Sequence, residues 1–437
     1  MKVILRSKIF QNTAWIFGGG AATAGIGFLT SLFVARKLGP SEFGELQIAT
    51  AYFYIILNLE NLINPHLFKK ILVENIDEAP HYVRQLGRII FSLAILLLSI
   101  QVILLFIYKS NLNLLILILT ISMLFRFTNG VVFYNEINLN SKSSIIAQNS
   151  GNIISSICKV IFAELRPSVF LQVITVPIQH ASSALLLLKR YRQREHNLSF
   201  FGEIDFAFLR KFVLLSLPLF SASLIELVSN RIGLLVIDNL LGKSLVGIFS
   251  AAAKISEPWT FVGAAITASF WPKTINLKTK DKNEYSRHLS MIYGILFWVS
   301  AIIAIGIFLF SDFLITNFLS TKYIESIPVL KVHIFSLFFL NWAFLTNLWE
   351  INEGLTRITL IKNSIGLLLN IFLTNFLVKS YGIIGASYAT MTTLCFTSTL
   401  SCLIFPQSRH LIKIQLSSPL LGLIEFVKKI NQKKSAS

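Results

Sequence analysis

Charge and cysteine are both scarce in this chain. Only 14% of its 437 residues are charged, while 54% are hydrophobic. The mean hydropathy is +0.68, a combination that excludes an ordinary soluble domain. Its three cysteines, Cys158, Cys395 and Cys402, fall inside apolar segments. They support neither a disulfide framework nor a metal site, because no metal-type spacing links them. The alternating segments of roughly ten residues that mark a β-barrel are missing. So are a nucleophile elbow, a His-Glu-x-x-His motif and an Asp-rich motif for metal–diphosphate chemistry. No cofactor or metal is expected, and no catalytic residue is assigned.

Long apolar runs fill the chain instead. Each is near the ~20 residues needed to cross a ~30 Å hydrocarbon layer as helix. Twelve spans are predicted, at 12–36, 46–67, 86–108, 112–134, 146–165, 168–188, 212–237, 246–271, 289–311, 327–349, 359–378 and 384–405. Lys2, Arg6 and Lys8 precede the first. That segment is too long for a cleaved leader and reads as a retained span. An even number of spans puts both termini on one side. Of the 39 Lys and Arg, about 27 then fall on the side of the termini and about 7 on the other, so the termini are cytoplasmic. The net charge of +18 is therefore a signal of topology and lipid-headgroup contact, and nucleic acid is not an expected partner. The longest loops, Lys189–Lys211 (with Arg190, Arg192 and Arg194) and Lys273–His288, are both cytoplasmic in this topology. Loops on the far side are short and leave no room for an extracytoplasmic active-site domain.

Two stretches repeat at an offset of 203 residues. Leu38-Gly39-Pro40-Ser41-Glu42-Phe43-Gly44, with Ala49, corresponds to Leu241-Gly242-Lys243-Ser244-Leu245-Val246-Gly247, with Ala252. An offset near half the chain implies two copies of one unit. The expected fold is an all-α membrane protein of about twelve helices. They form two six-helix bundles, 1–188 and 212–405, related by a pseudo-two-fold axis along the membrane normal. A cytoplasmic linker, 189–211, joins them, and 406–437 forms a basic tail. In that tail Leu420, Leu423, Ile424, Val427 and Ile430 recur at helical spacing, as in a helix lying on an anionic leaflet. A solvated tail is the alternative. Paired repeats of this kind in a membrane protein point to a transporter rather than an enzyme, with its path between the halves.

Ionisable residues inside spans are costly and usually face a cavity or a partner. Arg126, Lys159, Arg231 and Lys254 are the candidate cations of a polar cavity that binds an anion. Pairing with an acid on another span is the alternative for each. Lys331 lies near a span end, where it can snorkel. Glu60, Glu226 and Glu257 are candidates for ion or proton coupling, and Glu350 completes the buried acids. Glu257 follows Lys254 by three residues, so the two can pair on one helix face. Glu60 sits among Asn58, Asn61 and Asn64, whose amides could satisfy it. Gln148, Asn149, Asn152, Gln172, Gln179, Asn341 and Asn370 imply a wet interior or inter-helix glue. His180 and His333 read as structural. The run Gly18 to Gly27 lacks the Lys-Ser/Thr of a phosphate loop and reads as packing or hinge. Pro218 is expected to kink its helix.

Several of these pieces resemble the O-antigen and polysaccharide flippases of the multidrug/oligosaccharidyl-lipid/polysaccharide exporter superfamily. Near the start they are Asn12, Trp15, Ala35-Arg36, Leu38-Gly39-Pro40 and Phe43-Gly44. At the start of the second half they are Asp205, Leu209, Arg210-Lys211 and Ser216-Leu217-Pro218. Near the end they are Asn370-Ile371, Asn375, Tyr381-Gly382-Ile383-Ile384-Gly385-Ala386 and Ala389-Thr390. The resemblance covers essentially the whole chain, in order. It implies a bacterial inner-membrane flippase that works by alternating access. Its cargo would be an undecaprenyl-diphosphate-linked oligosaccharide for O-antigen or a related surface polysaccharide. A polysaccharide polymerase and a chain-length regulator are the implied partners, with membrane lipids around the protein. Leu165-Arg166-Pro167-Ser168 departs from the later Gly-Ile-Ile-Gly-Ala, so the repeat is degraded there. A cation-coupled drug exporter of the same superfamily is the first rival. Such exporters usually carry an acid in span 1, and none lies between Asn12 and Ala35. A membrane polysaccharide polymerase is the second, and it lacks its expected large extracytoplasmic loop. A non-transporting scaffold would gain nothing from the buried charges.

Overall fold

Backbone N–H and C=O groups in hydrocarbon must be satisfied within the chain, and a helix does this segment by segment. The computed structural model describes residues 8–192, 203–278 and 280–435, and among them no strand occurs. Lys2, Arg6 and Arg194 lie outside the described residues. The helices begin with α1 (Lys8–Leu38), α2 (Pro40–Leu57), α3 (Pro65–Glu74), α4 (Ala79–Tyr108), α5 (Asn111–Ile121) and α6 (Asn129–Ile137). They continue with α7 (Ser141–Leu165), α8 (Val169–Arg192), α9 (Phe206–Leu241), α10 (Lys243–Ser256), α11 (Thr260–Lys278) and α12 (Lys282–Leu314). The last are α13 (Ser326–His333), α14 (Ser336–Asn352), α15 (Thr356–Tyr381), α16 (Ile383–Cys395), α17 (Ser401–Ile404) and α18 (Arg409–Ser435).

Nine helical stretches among the described residues are long and apolar enough to cross a membrane. The number is ten if Ile383–Ile404 and Pro406–Gly422, bent by 102°, count as one. The two other expected spans, α7 and α10–α11, are helical but contain no stretch apolar enough to meet that criterion. A 3₁₀ turn, Glu257–Trp259, with Pro258, lies between α10 and α11. α9 continues unbroken through Pro218. Large apolar side chains such as Ile103, Phe106 and Ile107 of α4, and Ile302, Leu309 and Phe310 of α12, are exposed. Hydrocarbon accepts such a surface, whereas water would drive it to aggregate.

Two compact units compose the chain, Met1–Leu227 and Val228–Ser437. The division falls inside α9, beyond the linker expected at 189–211. Aromatic packing explains its position: Phe212 meets Phe68 edge-on at 6.2 Å, and Phe208 meets Tyr82 at 5.4 Å. The backbone carbonyl of Glu203 also accepts from Arg88 Nη1 at 2.8 Å. The start of α9 therefore belongs to the core of the first unit, with Leu72, Val83 and Leu86. Ala49, Phe53, Ala94, Leu119 and Met123 form a second core in that unit.

The repeated loops adopt the same backbone. Gly39 has φ 79°, ψ 171° and Gly242 has φ 84°, ψ 167°, and each caps the following helix. Their hydrogen bonds match too: Gly39 N to Ala35 O at 3.0 Å, and Gly242 N to Asp238 O at 2.9 Å. This conformation is essentially closed to residues with a Cβ, which explains why glycine stands at both sites. The glycines of α1 have a narrower role. Gly19 is pressed against Ile145 of α7, while a Cβ at Gly18, Gly20, Gly25 or Gly27 would meet open space.

In the second unit Tyr293, Leu296, Leu345 and Trp349 form the core, together with Leu411 of α18. Residues 409–422 are thus no free tail. Trp298 Nε1 donates to Pro419 O at 2.8 Å, and Gln415 Nε2 donates to Ser398 O at 3.0 Å and Thr346 Oγ1 at 3.2 Å. Gly422 lies against Gly294, an approach that no side chain would permit. Leu416, Leu420, Leu421 and Ile424 are exposed on the other face. The side chains of Leu423, Val427 and Ile430 lie outside the described residues.

A sealed ion pair joins α14 to α15. Lys362 Nζ lies 2.8 Å from both Oε1 and Oε2 of Glu350, the two residues being 0% and 1% exposed. Thr359 Oγ1 donates to Oε2 at 2.6 Å.

Two stability predictions follow from this packing. Gly242→Ala should cost about 1–3 kcal/mol, while Gly306→Ala, in open space within α12, should not destabilise. Thermal unfolding of the purified protein in detergent distinguishes them. Lys362→Met alone leaves a buried carboxylate without its cation and should cost about 3–5 kcal/mol, with most of that recovered in Glu350→Leu/Lys362→Met. Equal losses in the single and double variants would show that the pair itself, not the orphaned charge, is what matters.

Candidate functional site

Interrupted helices carry the first cluster. Asn58–Leu62 and Ser122–Thr128 are 3₁₀ segments within otherwise α-helical spans. Glu60 lies in one and Arg126 in the other. Arg126 Nε donates to Glu60 Oε1 at 2.9 Å and Oε2 at 2.8 Å. The Glu60 side chain is 7% exposed and that of Arg126 25%. Arg126 is therefore not the unpartnered cation that its own helix suggests; its acid comes from another span. Nor do the neighbouring amides hold Glu60. Asn61 Nδ2 donates to Asn58 Oδ1 at 2.6 Å, and Asn64 caps α3 through His66 N at 2.9 Å.

Two further groups share this neighbourhood. His180 of α8 lies within electrostatic reach of both Arg126 and Lys159. Lys159 is half-buried on α7, and its carbonyl accepts from Gln172 Nε2 at 3.1 Å, tying α7 to α8. α8, which carries His180, thus packs against both the 3₁₀ segment that carries Arg126 and α7, which carries Lys159. Glu226 is exposed on α9 within the same unit.

In the second unit Arg231 of α9 and Lys254 of α10 are half-buried and Glu257 is exposed. The expected Lys254–Glu257 pair is not formed among the described residues. The backbone stays right-handed helical through Ser256 and Glu257, but Lys254 is half-buried while Glu257 is exposed, so the two side chains take different surroundings. His333 is buried, with Nδ1 2.8 Å from Ser256 Oγ, a structural contact. Lys331 pairs with Asp312 at 2.9 Å. Lys362 was missed, although Glu350 was singled out. The signal was a lysine twelve residues after a buried acid, across a helical hairpin. Cys158, Cys395 and Cys402 are free thiols.

Each unit also holds a cavity. One of about 570 Å³ in the second unit is lined by Phe297, Phe308, Phe335, Phe338, Trp342 and other apolar groups, with Lys331 at its edge. One of about 340 Å³ in the first unit lies among α1, α6 and α7 and is lined largely by small and polar residues.

Comparison with known proteins places this architecture. Capsular polysaccharide biosynthesis protein CapF of Staphylococcus aureus is 23% identical over 408 residues, 90% of this chain and 97% of CapF. An uncharacterized membrane protein of Methanocaldococcus jannaschii is 28% identical over 159 residues, 36% of this chain and only 37% of that relative. Among solved structures, the lipid II flippase MurJ in an inward closed conformation has a TM-score of 0.71 at 14% identity, covering 94% of this chain and 92% of MurJ. An inward-facing MATE-family multidrug transporter has a TM-score of 0.68 at 15% identity, covering 90% and 96%. The fold is thus that of MurJ and the MATE transporters. Residues 9–272 match the family of polysaccharide biosynthesis proteins, and to this family of multi-pass membrane proteins the chain belongs.

Proposed function

We propose that the protein is a flippase. Its cargo is an undecaprenyl-diphosphate-linked oligosaccharide, carried from the cytoplasmic to the outer leaflet of a bacterial inner membrane by alternating access. The observation that carries this reading is the conjunction of family and fold: a polysaccharide biosynthesis protein built like a lipid II flippase over nearly its whole length. Physical chemistry sets the task. A diphosphate cannot enter hydrocarbon unaided, since even one charge there costs several kcal/mol. Fixed cations lower that barrier by replacing water with preorganised charge. Arg126 and Lys159 serve this role from the first unit, and Arg231 and Lys254 from the second.

Glu60 gives Arg126 a second state. While ionised it holds the guanidinium; once protonated it releases it to the diphosphate. Glu60 is thus the leading candidate for coupling to a proton gradient, with Glu226 and Glu257 as exposed alternatives. The product would feed O-antigen, capsule or a related surface polymer, beside a polymerase and a chain-length regulator. Both termini lie on the cytoplasmic side in this reading.

The test is accumulation of the lipid-linked unit on the cytoplasmic leaflet of a strain lacking the gene. Wild-type protein should relieve it. Arg126→Ala and Arg231→Ala should each cut export by about tenfold or more, the value of one charge-assisted contact, while still inserting in the membrane. Arg126→Ala also orphans Glu60, so Arg126→Ala/Glu60→Gln is needed to separate folding from transport. Wild-type export by that double variant would remove Arg126 from the cargo path. Normal outer-leaflet delivery without the protein, in a strain with no second transporter, would overturn the flippase reading.

A further inference from the structure

The aromatic cavity of the second unit has a wall of uniform chemistry. It is built from α12 (Phe297, Phe308), the turn between α13 and α14 (Phe335), α14 (Phe338, Trp342) and α16 (Met391). Ring contacts hold the wall in shape. Phe335 stacks on Phe338 with centres 6.4 Å apart and meets Phe308 edge-on at 6.0 Å, while Phe297 meets Phe338 at 5.2 Å. Trp342 turns its donor away, since its Nε1 donates to Tyr293 O at 3.2 Å. Hydrocarbon and ring faces therefore border a space of about 570 Å³, within the roughly 300–1,000 Å³ of ligand pockets. Water gains no partners there, and a void forfeits the dispersion contacts of its whole lining. A hydrocarbon chain is the filling that such a wall accepts.

The cavity opens beside exposed apolar surface. Phe308, which lines it, is 40% exposed, and Ile305 and Leu309 on the same face of α12 are exposed next to it. Asp312 continues that face at helical spacing. It stands near the end of the membrane-crossing stretch Lys282–Leu319, and Lys331 stands near the start of the next, Ser326–Asn352. The two meet at one membrane surface. Lys331 Nζ donates to Asp312 Oδ2 at 2.9 Å and lies 5.8 Å from the centre of the Phe308 ring, at the cavity's edge. An apolar crevice that ends in an ammonium and a carboxylate has the layout of a phospholipid, with chain and headgroup in order.

The two charges select the headgroup. Lys331 has three N–H donors and spends one on Asp312. Both side-chain contacts of the carboxylate, from Lys331 and from Ser311 Oγ at 3.5 Å, fall on Oδ2, which leaves Oδ1 as an acceptor. The Lys331 and Asp312 side chains are 32% and 63% exposed. An exposed ion pair of this kind contributes little, so a headgroup can enter it at small cost. A phosphate then accepts from Lys331, and a primary ammonium donates to Asp312 Oδ1. A headgroup that carries only negative charge meets the Asp312 carboxylate as a like charge, and a quaternary ammonium has no N–H to donate. We infer that this cavity is a lipid site for a zwitterionic phospholipid with a primary ammonium headgroup, one acyl chain lying against the aromatic wall. The inference needs only the membrane-spanning fold and is independent of the cargo assigned above.

Native mass spectrometry of the full-length protein in detergent tests it. The probes are three phospholipids with identical acyl chains and ethanolamine, choline or glycerol headgroups, offered at equal concentrations. Undecaprenyl phosphate is added in a separate arm. Met391→Trp fills the cavity, so the adducts lost in that variant are those held here. Among them the ethanolamine lipid should exceed each of the others by about tenfold, the value of one charge-assisted contact. Asp312→Asn, an exposed change that leaves the wall intact, should bring the three lipids within about twofold of one another. That comparison decides the question by itself where Met391→Trp does not fold. Equal retention of the three phospholipids by the wild type would show unselective filling by the bilayer and overturn the site. So would a preference that Asp312→Asn leaves unchanged, or full retention of adducts in folded Met391→Trp. Displacement of the ethanolamine lipid by equimolar undecaprenyl phosphate would give the cavity to the cargo's tail and overturn it as well.

Discussion

Placing a charge in hydrocarbon without its partner costs more than almost any other single defect in this chain, and the two units meet that constraint in different ways. Glu350 and Lys362 are sealed together, and Thr359 fills another of the carboxylate's acceptor positions. A pair of that kind locks α14 to α15 and has no route to a ligand. Glu60 and Arg126 form an equally short pair, but the arginine side chain is a quarter exposed. In the flippase proposed above, that difference separates a structural charge from one able to exchange partners. A carboxylate that holds the arginine leaves neither charge orphaned.

The placement of irregular backbone follows from the same constraint. In lipid, a break in the α pattern frees carbonyl and N–H groups that need other partners. Breaks are therefore tolerated where protein or polar groups surround them. Two of the 3₁₀ segments contain Glu60 and Arg126 themselves, and a third opens with Glu257. Further π turns occur at Ile315–Leu319 and Phe396–Leu400. The latter brings Ser398 O to Gln415 and Thr346, which satisfy it. Helix irregularity and interior polarity coincide because each makes the other affordable.

Features that depend on local order along the chain were legible in the sequence. The paired glycine loops predicted two copies of one unit, and Gly39 and Gly242 share their backbone angles to within a few degrees. Apolar periodicity placed most spans, and depth within a span singled out Arg126 as a candidate. Features that depend on how helices meet were not legible. Helical spacing cannot show an acid on another span, so Glu60 and Arg126 were read as separate candidates. Lys254 and Glu257 were read as neighbours from their spacing alone, which cannot show that one side chain is half-buried and the other exposed. Lys362 was overlooked because it lies on a different span from Glu350, and only the α14–α15 hairpin carries it against the carboxylate. The residues after Pro406 looked like a surface tail because their small and polar positions, Gln415, Ser418 and Gly422, pack inward while leucines face out. In a membrane protein that inversion is ordinary, and a reading tuned to water-facing helices misassigns it.

A lipid-linked oligosaccharide makes three chemically incompatible demands: charge for the diphosphate, hydrogen bonds for the sugars and hydrocarbon for the tail. No single cavity meets all three well, since a cation desolvated beside an apolar wall is penalised and a sugar there loses its water without replacement. Separate surfaces are the economical solution. The first unit keeps its cations on the 3₁₀ break and α7, and the second keeps its aromatic-walled cavity almost free of polar surface. In the flippase proposed above, transport needs no bond-making chemistry. Each part of the cargo must only be held about as well as water or lipid held it, so that the difference in free energy along the path stays small.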